Sequence, residues 1–236
     1  MMQLALNIGL NDGFEFDSFY PKSGNEDLLA LLKAPFWNTW PQVFLHGSNA
    51  SGKSHLLQAS ACQAQLQGEQ VSYLPLRELK PYGMGVLEGT ENARLLALDD
   101  IDAVMGDAAW EEALFHLINQ RRQDSQSTLL SATLNPHQLE SRLPDLASRL
   151  LWGPIYRLHA LDEDEALETF RLRALKRGFD LPDYVLRYIH RHFPRDIRSM
   201  MQLLDRLDAA SRTSGRKITR KLVQEMVPAA GRHQAE

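Results

Sequence analysis

The chain has 236 residues, 44% of them hydrophobic and 24% charged, and its 26 Lys and Arg against 30 Asp and Glu leave a net charge of -4. That balance excludes collagen-like, mucin-like and wholly disordered chains, and it leaves no global basic field to hold the protein on DNA or anionic lipid. The length admits one domain and a substantial second one.

The N-terminus, Met1 to Leu10, lacks a basic n-region and meets Asn11-Asp12-Gly13, so no signal peptide is expected. No run approaches the roughly 18 apolar residues of a membrane span, and the expectation is a soluble protein. Five short apolar runs then alternate with helical patterns. They are Val43 to Leu45, Val71 to Leu74, Arg94 to Leu98, Thr128 to Ala132 and Ile155 to Leu158. Near-continuous apolar strands separated by helices predict a parallel sheet covered on both faces. Helices are predicted from Lys53 to Gln67, stopped by Gly68, and from Ala108 to Arg122. After about residue 159 the strands stop. Acidic groups at Asp162 to Glu165 open a helix ending near Gly178, Pro182-Asp183 opens a second, Pro194-Arg195-Asp196 a third running to about Ser214, and Thr219 a fourth ending before Pro228. The fold class is therefore α/β: a core with a five-stranded parallel sheet at 13–159 and a small all-α domain at 160–227. Residues 1–12 read as a flexible N-terminal peptide and 228–236 as a tail.

Between the first strand and the first long helix stands Gly47-Ser48-Asn49-Ala50-Ser51-Gly52-Lys53-Ser54, which fits G-x-x-x-x-G-K-[ST] in the context that gives the motif meaning. Gly47 and Gly52 let successive amides turn inward around phosphate oxygens at a helix N-terminus. Lys53 places an ammonium near the β- and γ-phosphates, and the Ser54 hydroxyl is a Mg²⁺ ligand. The third strand delivers Asp99-Asp100 at its carboxyl end, where ligands of open α/β sheets bind. Asp99 is read as holding Mg²⁺ through water and Asp100 as polarising the attacking water. Asp in the second place is one methylene shorter than Glu, so slow intrinsic hydrolysis is expected.

A phosphate loop, an apolar strand ending in Asp-Asp, a polar strand end, an arginine segment and a helical lid follow in one order. That order resembles the AAA+ ATPases and, within them, the DnaA family of replication initiators, over roughly residues 14 to 227. Phe16 to Pro21 is similar to the family's F-D-x-F segment, Gly52-Lys53-Ser54-His55-Leu56 to its G-K-T-H-L helix, and Ser148-Arg149-Leu150-Leu151-Trp152-Gly153 to its S-R-x-x-W-G segment. The resemblance implies that Phe19 packs near the adenine and that Ser48 to His55 cradle ADP or ATP. It implies that Arg149 acts in trans on a neighbour's nucleotide, and that Arg198 reaches the phosphates from the lid. For the polar group closing the fourth strand both Thr133 and Asn135 are candidates, with Asn135 favoured.

The short tail leaves no room for the initiator's DNA-reading domain. Gln3-Leu4-Ala5-Leu6-Asn7-Ile8 is similar to the Q-L-x-L peptide that docks on the DNA polymerase III sliding clamp (beta subunit), with Gln3 in a polar notch and Leu4, Leu6 and Ile8 in an apolar groove. Together these features resemble a DnaA-related regulator that uses the clamp to stimulate hydrolysis of DnaA-bound ATP and so represses re-initiation. Its implied ligand is ADP, its DNA contact is mainly indirect, and its free form is a monomer or homodimer. The implied location is cytoplasmic, at the nucleoid through the clamp. It would not be a standalone enzyme. The competing readings are a self-assembling AAA+ motor and a DnaC-like helicase loader acting on single-stranded DNA.

Other features read as ordinary. The single Cys62 excludes an intramolecular disulfide and points to a reducing compartment; on the phosphate-loop helix it is expected to be a small buried thiol. His190 and His192 form no metal-binding pair. Trp37, Trp110 and Trp152 are expected to pack in the core. Arg216, Lys217, Arg220 and Lys221 are read as a solvated basic face or a local DNA contact.

Overall fold

The computed structural model describes residues 14–214 and 223. The predicted clamp peptide, the fourth lid helix apart from Val223, the basic cluster and the tail lie outside the described residues. The chain divides into two compact units, Met1–Ala160 and Leu161–Glu236.

The first unit is built on five parallel strands, β1 (Gln42–His46), β2 (Val71–Pro75), β3 (Leu95–Asp99), β4 (Ser127–Ala132) and β5 (Ile155–Arg157). They lie in the order β2-β3-β4-β1-β5. Each falls within a residue or so of an apolar run in the sequence, because burial on both faces makes the central strands β1, β3 and β4 largely apolar. Alternation divides the side chains between two cores. Val43, Leu45, Leu95, Ala97 and Leu129 pack on one face against α1 (Glu26–Lys33) and α2 (Lys53–Leu66). Phe44, Leu96, Leu98, Leu130 and Ala132 face α3 (Leu76–Leu79), α4 (Ala108–Gln123) and α5 (Pro144–Leu150).

Helices α2 and α4 match their predicted spans. Helices α1, α3 and α5 were not predicted, since eight, four and seven residues are too few for periodicity to declare itself. Helix α5 is fixed by Pro144 in its first turn and by burial of Leu146 and Leu150, one turn apart.

Arg121 is fully buried at the amino ends of β3 and β4. It donates to the carbonyls of Thr90 and Ala93 at 2.9 Å each, to the Ser127 carbonyl and to Thr128 Oγ1 at 3.0 Å. Burial pulls its guanidinium down to about 10, so it stays charged at neutral pH and ties strand ends that would otherwise leave orphaned carbonyls. Cys62 is partly rather than fully buried, because the part of α2 that carries it turns one side toward solvent.

In the second unit, α6 (Glu163–Lys176) starts with a reciprocal cap. Asp162 accepts from the Glu165 amide and Glu165 from the Asp162 amide, both at 2.9 Å. Helices α7 (Asp183–His192) and α8 (Ile197–Ser214) close a core around Phe170, Val185, Ile189, Leu203, Leu207 and Val223.

Candidate functional site

At the carboxyl end of β1 the backbone turns sharply. A Cβ on Gly47 would overlap the Leu158 carbonyl oxygen, so only glycine fits beside β5 here. Gly52 has φ +99° and begins α2 with no side-chain cap. A Cβ there would stand 2.7 Å from the Phe19 ring. The first amides of α2 therefore have neither an intrahelical acceptor nor a side-chain cap, and they converge where an anion would complete the helix. Ser51 Oγ is buried with no partner among the described residues.

Lys53 is 5% exposed and folds back on the loop, donating to the carbonyls of Gly47 at 2.8 Å and Ser48 at 3.1 Å. Burial lowers its pKa, against the pull of Asp100, Asp99 and Asp102. A desolvated lysine beside uncapped amides fits a polyphosphate. Ser54 is the next residue of the helix and is partly buried.

Asp99 is 3% exposed and accepts from Ser131 Oγ on one oxygen and from Tyr73 Oη at 2.8 Å on the other. Tyr73 in turn accepts from Gln58 of α2 at 3.2 Å. Burial first, then the carboxylate, raises the Tyr73 pKa well above its ordinary value, so the phenol remains a donor. The network follows from strand parity, since Tyr73, Asp99 and Ser131 share the α2 face with Ala97 and Leu129. Two donors leave Asp99 lone pairs for a hydrated cation, in the manner of Mg²⁺ sites that keep several waters. Asp100 is left-handed, at φ 56°, and its carboxylate accepts from Arg77 Nε at 2.9 Å. That ion pair occupies one oxygen of the group assigned to water polarisation.

The aromatic segment before the core reaches the loop through His55. Its Nε2 lies 2.7 Å from the Glu15 carbonyl, and its ring meets Phe14 and Phe19 edge-on at 5.0 and 5.4 Å. Past β4, the Thr133 amide donates to Asp102 at 3.3 Å. The Asn135 side chain caps the turn at Pro136–Gln138 and lies 3.3 Å from His46 Nε2 at the end of β1.

Arg149 is elsewhere. It belongs to α5, whose last turn is held by Gln42, the first residue of β1, donating to the Arg149 and Leu150 carbonyls at 3.0 Å each. Five residues of strand, about 13 Å, separate that end of β1 from the phosphate loop, and α5 lies on the face opposite α2. The guanidinium donates to Asn119 Oδ1 at 2.9 Å and Ser148 Oγ at 3.1 Å, and it lies 4.4 Å from the Trp152 ring centroid. Trp152, expected as a packing residue, is partly buried against the core and also stacks under cations. Gly153 is required because a Cβ would overlap the Gln42 carbonyl oxygen.

Comparison with known proteins fits both halves. Residues 162–227 match the family described as Hda, lid domain. The fold resembles domain III of the replication initiation protein DnaA from Thermotoga maritima, with a TM-score of 0.76 and 21% identity over 95% of this chain and 100% of that one. It also resembles AMPPCP-bound DnaA from Aquifex aeolicus, at a TM-score of 0.68 and 20% identity over 84% of this chain and 66% of that one. The Holliday junction branch migration motor RuvB of Thermotoga maritima follows at 0.56 and 20%, over 90% and 72%. Residues 162–227 thus resemble an Hda lid, and the fold of the chain is that of DnaA domain III.

In the Hda-type lid Arg198 is exposed in the first turn of α8, and the preceding Asp196 is held below the usual carboxylate range by the Ser199 backbone amide. Arg195, its neighbour, is committed to Glu163 at 2.5 Å. Among the described residues no helix is long and apolar enough to cross a membrane, and no cluster of three His, Cys, Asp or Glu could hold a metal. In the first unit, reading the sequence missed Tyr73, Arg77, Asn119, Arg122 and Ser131. Only Ser131 left a signal, as a hydroxyl inside an otherwise apolar strand end.

Proposed function

We propose that this chain is a DnaA-related AAA+ regulatory protein that binds ADP or ATP in its own loop and lends Arg149 to the nucleotide site of a bound DnaA–ATP molecule. The observation that carries this reading is the placement of Arg149. It sits at the end of β1 away from Lys53, on the other face of the sheet, with neutral partners holding it. An arginine so placed does not serve its own cradle and is available to another molecule. An arginine supplied in trans accelerates phosphoryl transfer by roughly 10³ to 10⁵ in well-studied cases.

In this reading the loop amides of Gly47 to Ser54 and the Lys53 ammonium bind phosphates, Ser54 and Asp99 hold Mg²⁺, Phe19 borders the base, and Asn135 senses the phosphate end. Mg²⁺ held by these residues would supply charge neutralisation of the phosphates. Asp100, held by Arg77, is a weak water-orienting group, so the chain is a nucleotide-dependent switch and not a standalone enzyme. Gln3, Leu4, Leu6 and Ile8 dock on the sliding clamp, which brings the protein to replicated DNA in the cytoplasm and restrains re-initiation. The Hda-type lid favours this role over a helicase loader.

The test is hydrolysis of DnaA-bound ATP with and without DNA-loaded clamp. Arg149→Ala is expected to lose stimulation by a factor of about 10³, and Gln3→Ala to lose only the clamp-dependent part. Full stimulation by Arg149→Ala would sink the reading, and rapid ATP turnover by the chain alone would favour a motor.

A further inference from the structure

Trp152 carries two arginines. Arg122, in the last turn of α4, lies 3.9 Å from the ring centroid and Arg149 lies 4.4 Å from it, which puts the two guanidinium carbons at most about 8 Å apart. Among the described residues neither forms an ion pair with a carboxylate. Arg149 is held by the neutral oxygens of Asn119 and Ser148. The nearby acids on α4 are engaged elsewhere, Glu111 with Gly106, Ser141 and Leu143, Glu112 with His116, and Asp124 with Gln120. Other surface arginines contrast with this pair, Arg77 meeting Asp100, Arg177 meeting Asp205 and Arg195 meeting Glu163.

Two like charges on one indole repel each other, and the ring's negative face offsets that only in part. The arrangement keeps both guanidiniums planar and desolvated on one side while the N–H fork of exposed Arg122 stays open to a ligand. A polyphosphate, with several oxygens along one short chain, is the anion that engages two forks at this spacing.

We infer that Arg122 is a second arginine of the same trans site, gripping the polyphosphate of the partner-bound nucleoside triphosphate beside Arg149, with Trp152 as the positioning residue for both. This rests on the role proposed above for Arg149. The ordinary role of Arg122 would be a cation at a helix C-terminus, which affects stability and not the partner's chemistry.

The test measures stimulated hydrolysis of partner-bound ATP against concentration of this protein, for wild type, Arg122→Gln, Arg122→Lys, Trp152→Phe and Arg149→Ala, with a thermal melt of each. Arg122→Gln is expected to lower the maximal stimulated rate or raise the half-saturating concentration about tenfold, with a flatter dependence on salt. Arg122→Lys, which keeps the charge and the helix end, should recover part of this. Trp152→Phe should shift both arginines' contributions together. If Arg149→Ala loses stimulation while Arg122→Gln matches wild type, or changes only the melt, the inference fails and the role of Arg149 stands. If Arg149→Ala itself stimulates normally, the underlying reading fails and takes this one with it. Should Arg122→Gln not fold, Arg122→Lys decides through its salt dependence and half-saturation, unchanged values of both overturning the inference.

Discussion

The two ends of β1 are built alike and place their cations in opposite ways. At the carboxyl end Gly47 lies against the Leu158 carbonyl, and at the amino end Gly153 lies against the Gln42 carbonyl, each at a distance no Cβ would allow. At the first end the cation is turned inward. Lys53 is buried, bonded to its own loop and depressed in pKa, so a ligand that brings negative charge relieves a desolvated ammonium. At the second end the cations lie over an aromatic ring and, among the described residues, pair with no acid. On the function proposed above, the cation for a resident ligand is hidden because the ligand stays, and the one for another molecule's ligand is displayed and pre-oriented.

The largest effect that would break this division is expected at Gly153. In Gly153→Ala the new methyl meets backbone and not a flexible side chain, so β1 and the α5–β5 connection have to separate, at a cost of about 3 kcal/mol. Urea unfolding checks the loss. If the comparison holds, the residual folded protein keeps adenine-nucleotide affinity while its stimulation of partner hydrolysis falls, because Trp152 and Arg149 move with the connection. Equal loss of both functions would mean the two ends are not separable. At the other end, Lys53→Ala removes a charge-assisted contact worth about 2 kcal/mol, or roughly thirtyfold in nucleotide affinity. Titration with a fluorescent ADP analogue measures this. Arg149→Ala should leave the same titration unchanged.

The cradle was legible in the sequence because its chemistry is local. Eight consecutive residues from Gly47 to Ser54 contain the turn, the cation and the hydroxyl, and the strand before and helix after them have unmistakable periods. The five strands were equally open, since each is centred on a short run of mostly apolar residues. The amino-end platform was not. Asn119, Arg122, Arg149 and Trp152 come from α4, α5 and the segment beyond, and only the sheet brings them together. Arg122 follows Arg121 directly, yet one is the most buried cation of the core and the other stands exposed on an indole. Nothing in two adjacent arginines says which faces inward until α4 is docked. The same holds for Asp99 and Asp100, where strand parity sends the first to Tyr73 and Ser131 and a left-handed turn sends the second to Arg77.

The smallest expected effect sharpens the comparison through protons. His46 ends β1 just before Gly47, and its pKa is lowered by burial first and then by Arg157, His159 and Lys53. A neutral ring is also what the contact with Asn135 Nδ2 requires, since only an unprotonated Nε2 accepts. A histidine with a depressed folded pKa binds its proton more readily in the unfolded chain. The stability it allows is complete above the unfolded value near 6.5 and is lost as pH falls toward the folded value. The urea midpoint of wild type should therefore fall more steeply than that of His46→Gln between about pH 7 and 5. A nucleotide in the loop adds negative charge beside Lys53, raises the folded pKa of His46 and shrinks that difference, whereas Arg149→Ala, at the far end of the strand, leaves the slope untouched. Identical slopes for wild type and His46→Gln would show that the carboxyl end of β1 is not the electropositive, desolvated site on which the cradle's preference for polyphosphate depends.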